Sequence, residues 1–237
     1  NIHMDMNIVK TIAKRLKELN FTGIVNISGT GEPLLTKYIV DIVKEFGDNG
    51  IHVEIVTNGD VLTRKRGIQL IKDIYKAGLK QFVVSMYDGP EQIEYFNNLF
   101  NSCNIDKNLY SLRDRWYDES EDYGLLYTNR AGNIGFKHLS DTAKQKLMKS
   151  GKSACFYTHY AMMIDWNGDA LICCQDMYNR TVKFGNVINK TLLDIWNDAK
   201  LTEFRNKLKN GERSLSPCNN CNANGQIFGF NHAEAWK

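Results

Sequence analysis

Apolar positions along the first hundred residues follow two rhythms in turn. In Asn7–Asn20 they fall at Ile8, Val9, Ile12, Ala13, Leu16 and Leu19, three and four residues apart, which draws one apolar stripe along a helix. Gly23–Ser28 (GIVNIS) is then a short apolar run of strand length. Helical spacing returns over Thr36–Phe46 through Ile39, Val40, Ile42, Val43 and Phe46, and Ile51–Val56 alternates with Ile51, Val53 and Ile55 on one face. The order repeats once more: Thr63–Ala77 predicts a helix closed by Gly78, Phe82–Ser85 a strand and Glu91–Phe100 a short helix. Strands separated by helices pair in parallel, with the helices as crossovers, so the pattern predicts an α/β fold.

After residue 100 the rhythm breaks. Residues 101–122 read as an irregular connection, Gly124–Tyr127 as a strand, and Thr128–Asn133 (TNRAGN) as the loop it enters. Beyond about Ser150 the pattern predicts a β-hairpin, with Ala161–Asp165 and Ala170–Ile172 flanking Trp166-Asn167-Gly168-Asp169. Asn-Gly tolerates the positive φ that such a turn needs. A Gly-Asn turn at 185–186, helices near Thr191–Asn197 and Ala199–Asn210, and a final CNNC follow. Two domains are expected, 1–150 with the parallel sheet and 151–237 as a small cysteine-bound module.

The chain has 237 residues, 43% hydrophobic and 24% charged, as expected of a globular protein with a sizeable core. A net charge of +3 is too small to call for nucleic acid or a membrane surface, and no apolar run is long enough to span a bilayer. No signal peptide is read, so a cytoplasmic protein is expected. Asn-Ile-His-Met is not a natural start, which points to a trimmed or incomplete N-terminus.

Chemistry in parallel α/β proteins gathers at the C-terminal ends of strands. Here those ends read GTGEPLL (Gly29–Leu35), TNGD (Thr57–Asp60), SMYDG (Ser85–Gly89) and YTNRAGN (Tyr127–Asn133). Turn-making alone explains Gly and Asn in any one of them. Together at one rim they predict a ligand-binding edge without naming the ligand.

Cysteines stand at 103, 155, 173, 174, 218 and 221, with most of them in the tail. Such clustering points to metal or cluster ligation before disulfides in an intracellular enzyme. Twelve residues separate Cys155 from Gly168, four separate Gly168 from Cys173, and two separate Cys218 from Cys221. The hairpin brings Cys155 toward Cys173, and Cys-x2-Cys places two thiolates on one tight turn. Spacing alone leaves zinc, an iron–sulfur cluster and plain thiols open.

The tail pattern Cys-x12-Gly-x4-Cys followed by Cys-x2-Cys resembles the twitch, or half-SPASM, domain of radical SAM enzymes. The phrases IDWNGDALICCQD, FGNVINKTLLDIWND, EFRNKLKNGE and CNNC fit that module. The resemblance implies that Cys155, Cys173, Cys218 and Cys221 ligate one auxiliary 4Fe–4S cluster, with Cys174 left as a buried thiol beside it. The first half is similar to a partial (β/α)6 radical SAM barrel whose first strand and cluster loop are missing. GTGEP resembles the segment that holds the methionyl end of S-adenosylmethionine, which implies Thr30, Gly31 and Glu32 as its binding residues. Asn58, in the Thr57-Asn58-Gly59 strand end, and Ser85 complete that implied set. The Cys-x3-Cys-x2-Cys of the family's first 4Fe–4S cluster does not occur in these residues. Its ligands are therefore expected to precede the chain; the alternative is a natural truncation that cannot start the radical reaction.

Among twitch enzymes the likeness is greatest to those that dehydrogenate an aminocyclitol. It implies two-electron oxidation of an alcohol on a sugar or aminocyclitol, with the auxiliary cluster as electron acceptor. A small-molecule substrate and an electron donor such as flavodoxin or ferredoxin are the implied partners. Arg130, in the TNRAGN loop, is implied beside the substrate, with a structural ion pair as its other reading. Dehydration, epimerisation or peptide modification by the same machinery, or a non-catalytic iron–sulfur or zinc protein, are the alternatives.

Overall fold

A computed structural model describes residues 3–116, 128–133 and 153–226. The chain divides into two compact units, His3–Tyr123 and Gly124–Lys237.

The first unit runs α1 (Met6–Glu18), β1 (Ile24–Ile27), α2 (Ile39–Asp48), β2 (His52–Thr57), α3 (Gly67–Lys76), β3 (Gln81–Met86), α4 (Glu91–Ser102) and β4 (Tyr110–Asp114). Asp5 starts α1 by accepting a hydrogen bond from the Asn7 N–H at 2.7 Å. The strands form one sheet in the order β1-β2-β3-β4, every neighbouring pair parallel. Each helix turns its apolar stripe inward: Val9, Ile12 and Ala13 on α1; Ile42, Val43 and Phe46 on α2; Ile71 and Ile74 on α3; Phe96 and Phe100 on α4. Phe82 through Met86 are all buried, as befits a central strand of a parallel sheet covered on both faces. The predicted α/β class with a parallel sheet is the observed one.

Two boundaries differ from the sequence reading. Tyr110–Asp114, read as part of an irregular connection, is a strand paired with β3 from Phe82↔Tyr110 to Met86↔Asp114. Only Tyr110 in it is buried, so it lacks the apolar alternation that marks β2. Helix α3 begins at Gly67 rather than Thr63, because the chain first makes a turn that brings residue 67 against Leu62. A Cβ on Gly67 would lie 1.7 Å from the Leu62 carbonyl oxygen. Gly124–Tyr127 lies outside the described residues.

The second unit contains α5 (Tyr157–Tyr160), β5 (Met163–Ile164), β6 (Asp169–Leu171), β7 (Lys183–Asn186), α6 (Leu192–Trp196), α7 (Ala199–Lys209) and a 3-10 turn at Cys218–Asn220. Strands β5, β6 and β7 form an antiparallel sheet. The predicted hairpin is present: Gly168 takes φ 86° at its turn, and the Asp165 N–H donates to the Asp169 carbonyl at 2.9 Å. The turn expected at 185–186 is instead the end of β7; the chain reverses just after it, where the Asn189 and Lys190 N–H groups donate to the Asn186 carbonyl. A capping box between Thr191 and Asp194 starts α6. Arg205 is fully buried and ties the helices together, donating to Thr158 O at 2.8 Å and Trp196 O at 2.6 Å with its guanidinium 4.1 Å from the Trp196 ring. Among the described residues no helix is long and apolar enough to cross a membrane.

Candidate functional site

Cys155 enters α5 from a segment pinned on both sides. Its N–H donates to Leu208 O at 2.9 Å on α7, and the following Phe156 N–H donates to Gly225 O at 3.0 Å. Cys173 comes two residues after β6, delivered there by the hairpin. Cys218 and Cys221 bracket the 3-10 turn, closed by the Cys221 N–H on Cys218 O at 3.2 Å. All four line a single cavity, together with Tyr157 and Arg213. None of the six cysteines is in a disulfide.

Burial pushes the Cys218 thiol up to about 12, with Cys155 and Cys221 adding to it; Cys173 is also raised, first by burial and then by its neighbour Cys174. Burial also raises Cys155, against the lowering effect of the Tyr157 N–H and the Arg213 charge. Without a bound group these thiols therefore hold their protons, and ligation must release them. Three of the four carry the same local device for that charged state. The N–H of Ala223 donates to the sulfur of Cys221 at 3.4 Å, and the N–H groups of Tyr157 and Gln175 favour the charged forms of Cys155 and Cys173. Each donor comes two residues after its cysteine. A neutral thiol accepts weakly, so repeated N–H donors aimed at sulfur favour thiolates.

No three His, Cys, Asp or Glu side chains among the described residues are placed to share a single metal ion. A zinc ion needs its sulfurs about 3.8 Å apart, given Zn–S bonds of about 2.3 Å in a tetrahedron. A cubane gives each iron its own thiolate, so its four sulfurs stand farther apart. Four thiols gathered on one cavity, with an N–H donor on sulfur, fit an iron–sulfur cluster.

The other two cysteines are set apart from this cavity's lining. Cys103 is buried at the end of α4 in the first unit, its sulfur 3.9 Å from Ile68 O. Cys174 is half-buried beside Cys173, and its thiol is raised by burial while the charge of Arg130 lowers it. Arg130 is thereby placed in the second unit next to the cysteine loop. Its own loop is fastened there: the Asn129 N–H donates to Asn222 Oδ1 at 2.7 Å and Asn129 Nδ2 to Asn220 O at 2.7 Å, while Thr128 Oγ1 donates to Gln175 Oε1 at 2.5 Å. Arg130, Ala131 and Gly132 all take positive φ, at 46°, 56° and 86°. Two non-glycine residues in that region amount to local strain, held by the Asn129 clamp.

In the first unit Glu32 gathers the predicted rim. Its Oε1 accepts from the Leu34 N–H at 3.0 Å and the Thr57 hydroxyl at 2.6 Å, and its Oε2 accepts from the Asn58 N–H at 2.9 Å. The loop after β1 is thus clasped onto the end of β2, which brings Thr30, Gly31 and Glu32 to Asn58. Ser85 stands one residue past Val84, the partner of Thr57, and so reaches the same level on β3. A Cβ built on Gly29 or Gly31 meets nothing within 4 Å, so the backbone there is open to a ligand. Tyr87 is exposed, and Asp88 is bound to Gln92 through two hydrogen bonds in a turn.

Several residues that shape these sites carry no sequence signal. Gly225 packs directly on Cys155: an added Cβ would fall 2.4 Å from its Cα and 2.4 Å from its sulfur. Arg213 is an ordinary polar residue in the text and is buried in the fold.

Comparison with known proteins agrees with this geometry. Residues 155–222 match the SPASM family, an iron–sulfur cluster-binding domain, a segment that begins at Cys155 and ends just past Cys221. The S-adenosyl-L-methionine-dependent 2-deoxy-scyllo-inosamine dehydrogenase of Niallia circulans is 28% identical over 224 residues, covering 92% of this chain and 80% of that protein. A crystal structure of BtrN in complex with AdoMet and 2-DOIA is 27% identical with a TM-score of 0.71, covering 93% of this chain and 81% of that one. An open conformation of BtrN, 22% identical with a TM-score of 0.65 over 95% of this chain and 85% of that one, shares the fold. The likeness drawn from the sequence motifs is borne out.

Proposed function

We propose, on the premise that the chain is an enzyme of the radical SAM type carrying a SPASM-type module, that it oxidises an alcohol on an aminocyclitol or sugar to the ketone. One observation carries the reading. Cys155, Cys173, Cys218 and Cys221 line one cavity inside the segment that matches an iron–sulfur cluster-binding domain. The substrate class is taken from the relative named as a 2-deoxy-scyllo-inosamine dehydrogenase.

In this reading the four cysteines hold an auxiliary 4Fe–4S cluster. Thr30, the open backbone at Gly31, the Glu32 clasp, Asn58 and Ser85 hold S-adenosylmethionine. When bound, S-adenosylmethionine and its own cluster would supply the radical chemistry that removes the carbinol hydrogen atom, and a cluster held by the four cysteines would offer an acceptor for the second electron. The chain's residues do the rest. Arg130 donates to the substrate hydroxyl and orients it; guanidinium stays protonated in proteins, so it positions rather than deprotonates. Glu32 keeps two strand ends in register, which fixes where the rim's donors point. The Asn129 clamp holds Arg130 in its strained backbone. A flavodoxin or ferredoxin would supply the electron for the first cluster.

The test is product analysis. Enzyme given S-adenosylmethionine, a reductant and 2-deoxy-scyllo-inosamine deuterated at the reacting carbon should form ketone and 5′-deoxyadenosine in equal amounts, with the deuterium in the latter. Formation of a dehydrated or epimerised product, or no transfer of deuterium, would contradict the assignment.

A further inference from the structure

We infer that Arg213 is the fixed positive charge of the cysteine cradle, raising the reduction potential of the cluster bound there; this rests on the iron–sulfur reading above. The side chain lines the same cavity as the four cysteines and is only 7% exposed. Its fork spans the two halves of the cradle. Nε donates to Ser153 O at 2.9 Å, two residues before Cys155, and one terminal nitrogen donates to Ala223 O at 2.9 Å and Cys221 O at 3.3 Å. The other terminal nitrogen lies 3.5 Å from Ser153 Oγ.

All of these acceptors are neutral. Among the described residues no carboxylate forms an ion pair with Arg213. A buried guanidinium cannot shed its proton, and a buried charge without a counter-charge is costly. Four thiolates on a cubane leave a net negative charge, which gives the unpaired guanidinium a partner. Reduction adds a further electron to that group in a low-dielectric site. A fixed cation therefore stabilises the reduced form more than the oxidised one, and the potential rises. For a cluster whose task is to accept an electron from the substrate, that is the useful direction.

The test uses the chain as it stands, which contains one complete set of cluster cysteines. Wild type, Arg213→Gln and Arg213→Lys are reconstituted anaerobically and titrated with reductant, the reduced cluster being followed by electron paramagnetic resonance. Arg213→Gln should titrate at a more negative potential, while Arg213→Lys, which keeps the charge but not the fork, returns toward wild type. Loss of the cluster in the Gln variant alone would also favour charge. A wild-type potential in Arg213→Gln, an equal shift in both variants, or loss of the cluster from both overturns the inference. Failure of the wild-type chain to carry iron and sulfide would refute the iron–sulfur reading itself.

Discussion

Valine in place of Gly225 should weaken the hold of the cradle on its cluster while the rest of the second unit stays folded. A Cβ at this position falls 2.4 Å from Cys155 Cα, 2.4 Å from its sulfur and 2.5 Å from its Cβ. The conflict includes backbone, so no rotamer of Cys155 relieves it. The Phe156 N–H bond to Gly225 O further restricts how the two segments can part. Overpacking of this kind costs about 1–3 kcal/mol, and if all of it falls on the loaded state the cluster affinity drops by about 5- to 150-fold. A chelator challenge followed by visible absorption reads this directly: Gly225→Val and, more weakly, Gly225→Ala should bleach far faster than wild type. Equal bleaching rates would show that Cys155 is not seated by this contact.

The second large effect is expected at Glu32. Its carboxylate accepts three hydrogen bonds, from Leu34, Thr57 and Asn58, and the Thr57 hydroxyl it serves is buried. Glu32→Ala leaves those donors without their acceptor. Bonds to a charged group contribute about 1.5–3 kcal/mol each, but Glu32 is half-exposed and water replaces part of them. A net loss of about 2–4 kcal/mol follows, a drop of roughly 10 °C in melting temperature for a domain of this size. Glu32→Gln keeps an acceptor oxygen and should recover about half of it. Calorimetry checks both, and an unchanged melting temperature in Glu32→Ala would mean the clasp contributes nothing. In the enzyme the same change should raise KM for S-adenosylmethionine, because the rim loops lose their common anchor.

What was legible in the sequence depended on repetition. The alternation of Ile51, Val53 and Ile55 and the helical stripes around it repeat the same strand–helix phrase, so the parallel sheet could be read. Strand β4 could not, since it is held by backbone pairing to β3 and buries only Tyr110. Asn167-Gly168 announced the hairpin because a turn with positive φ restricts residue type. The cysteine spacing carried the cradle for a related reason: few residue types can serve, and the chain must return them to one place. Gly225 and Arg213 were illegible because they act across long loops. Gly225 matters through the space beside Cys155, and Arg213 through carbonyls of residues 153, 221 and 223. Glu32 was legible as a motif residue, yet its three-way clasp emerges only once β1 and β2 lie side by side.

The central claim is that Cys155, Cys173, Cys218 and Cys221 of this chain together hold an iron–sulfur cluster. Iron and acid-labile sulfide determined on the anaerobically reconstituted chain test it most directly. The account predicts about four of each per chain, lost in Cys218→Ala and retained in Cys103→Ala. Stoichiometric zinc without labile sulfide would contradict it.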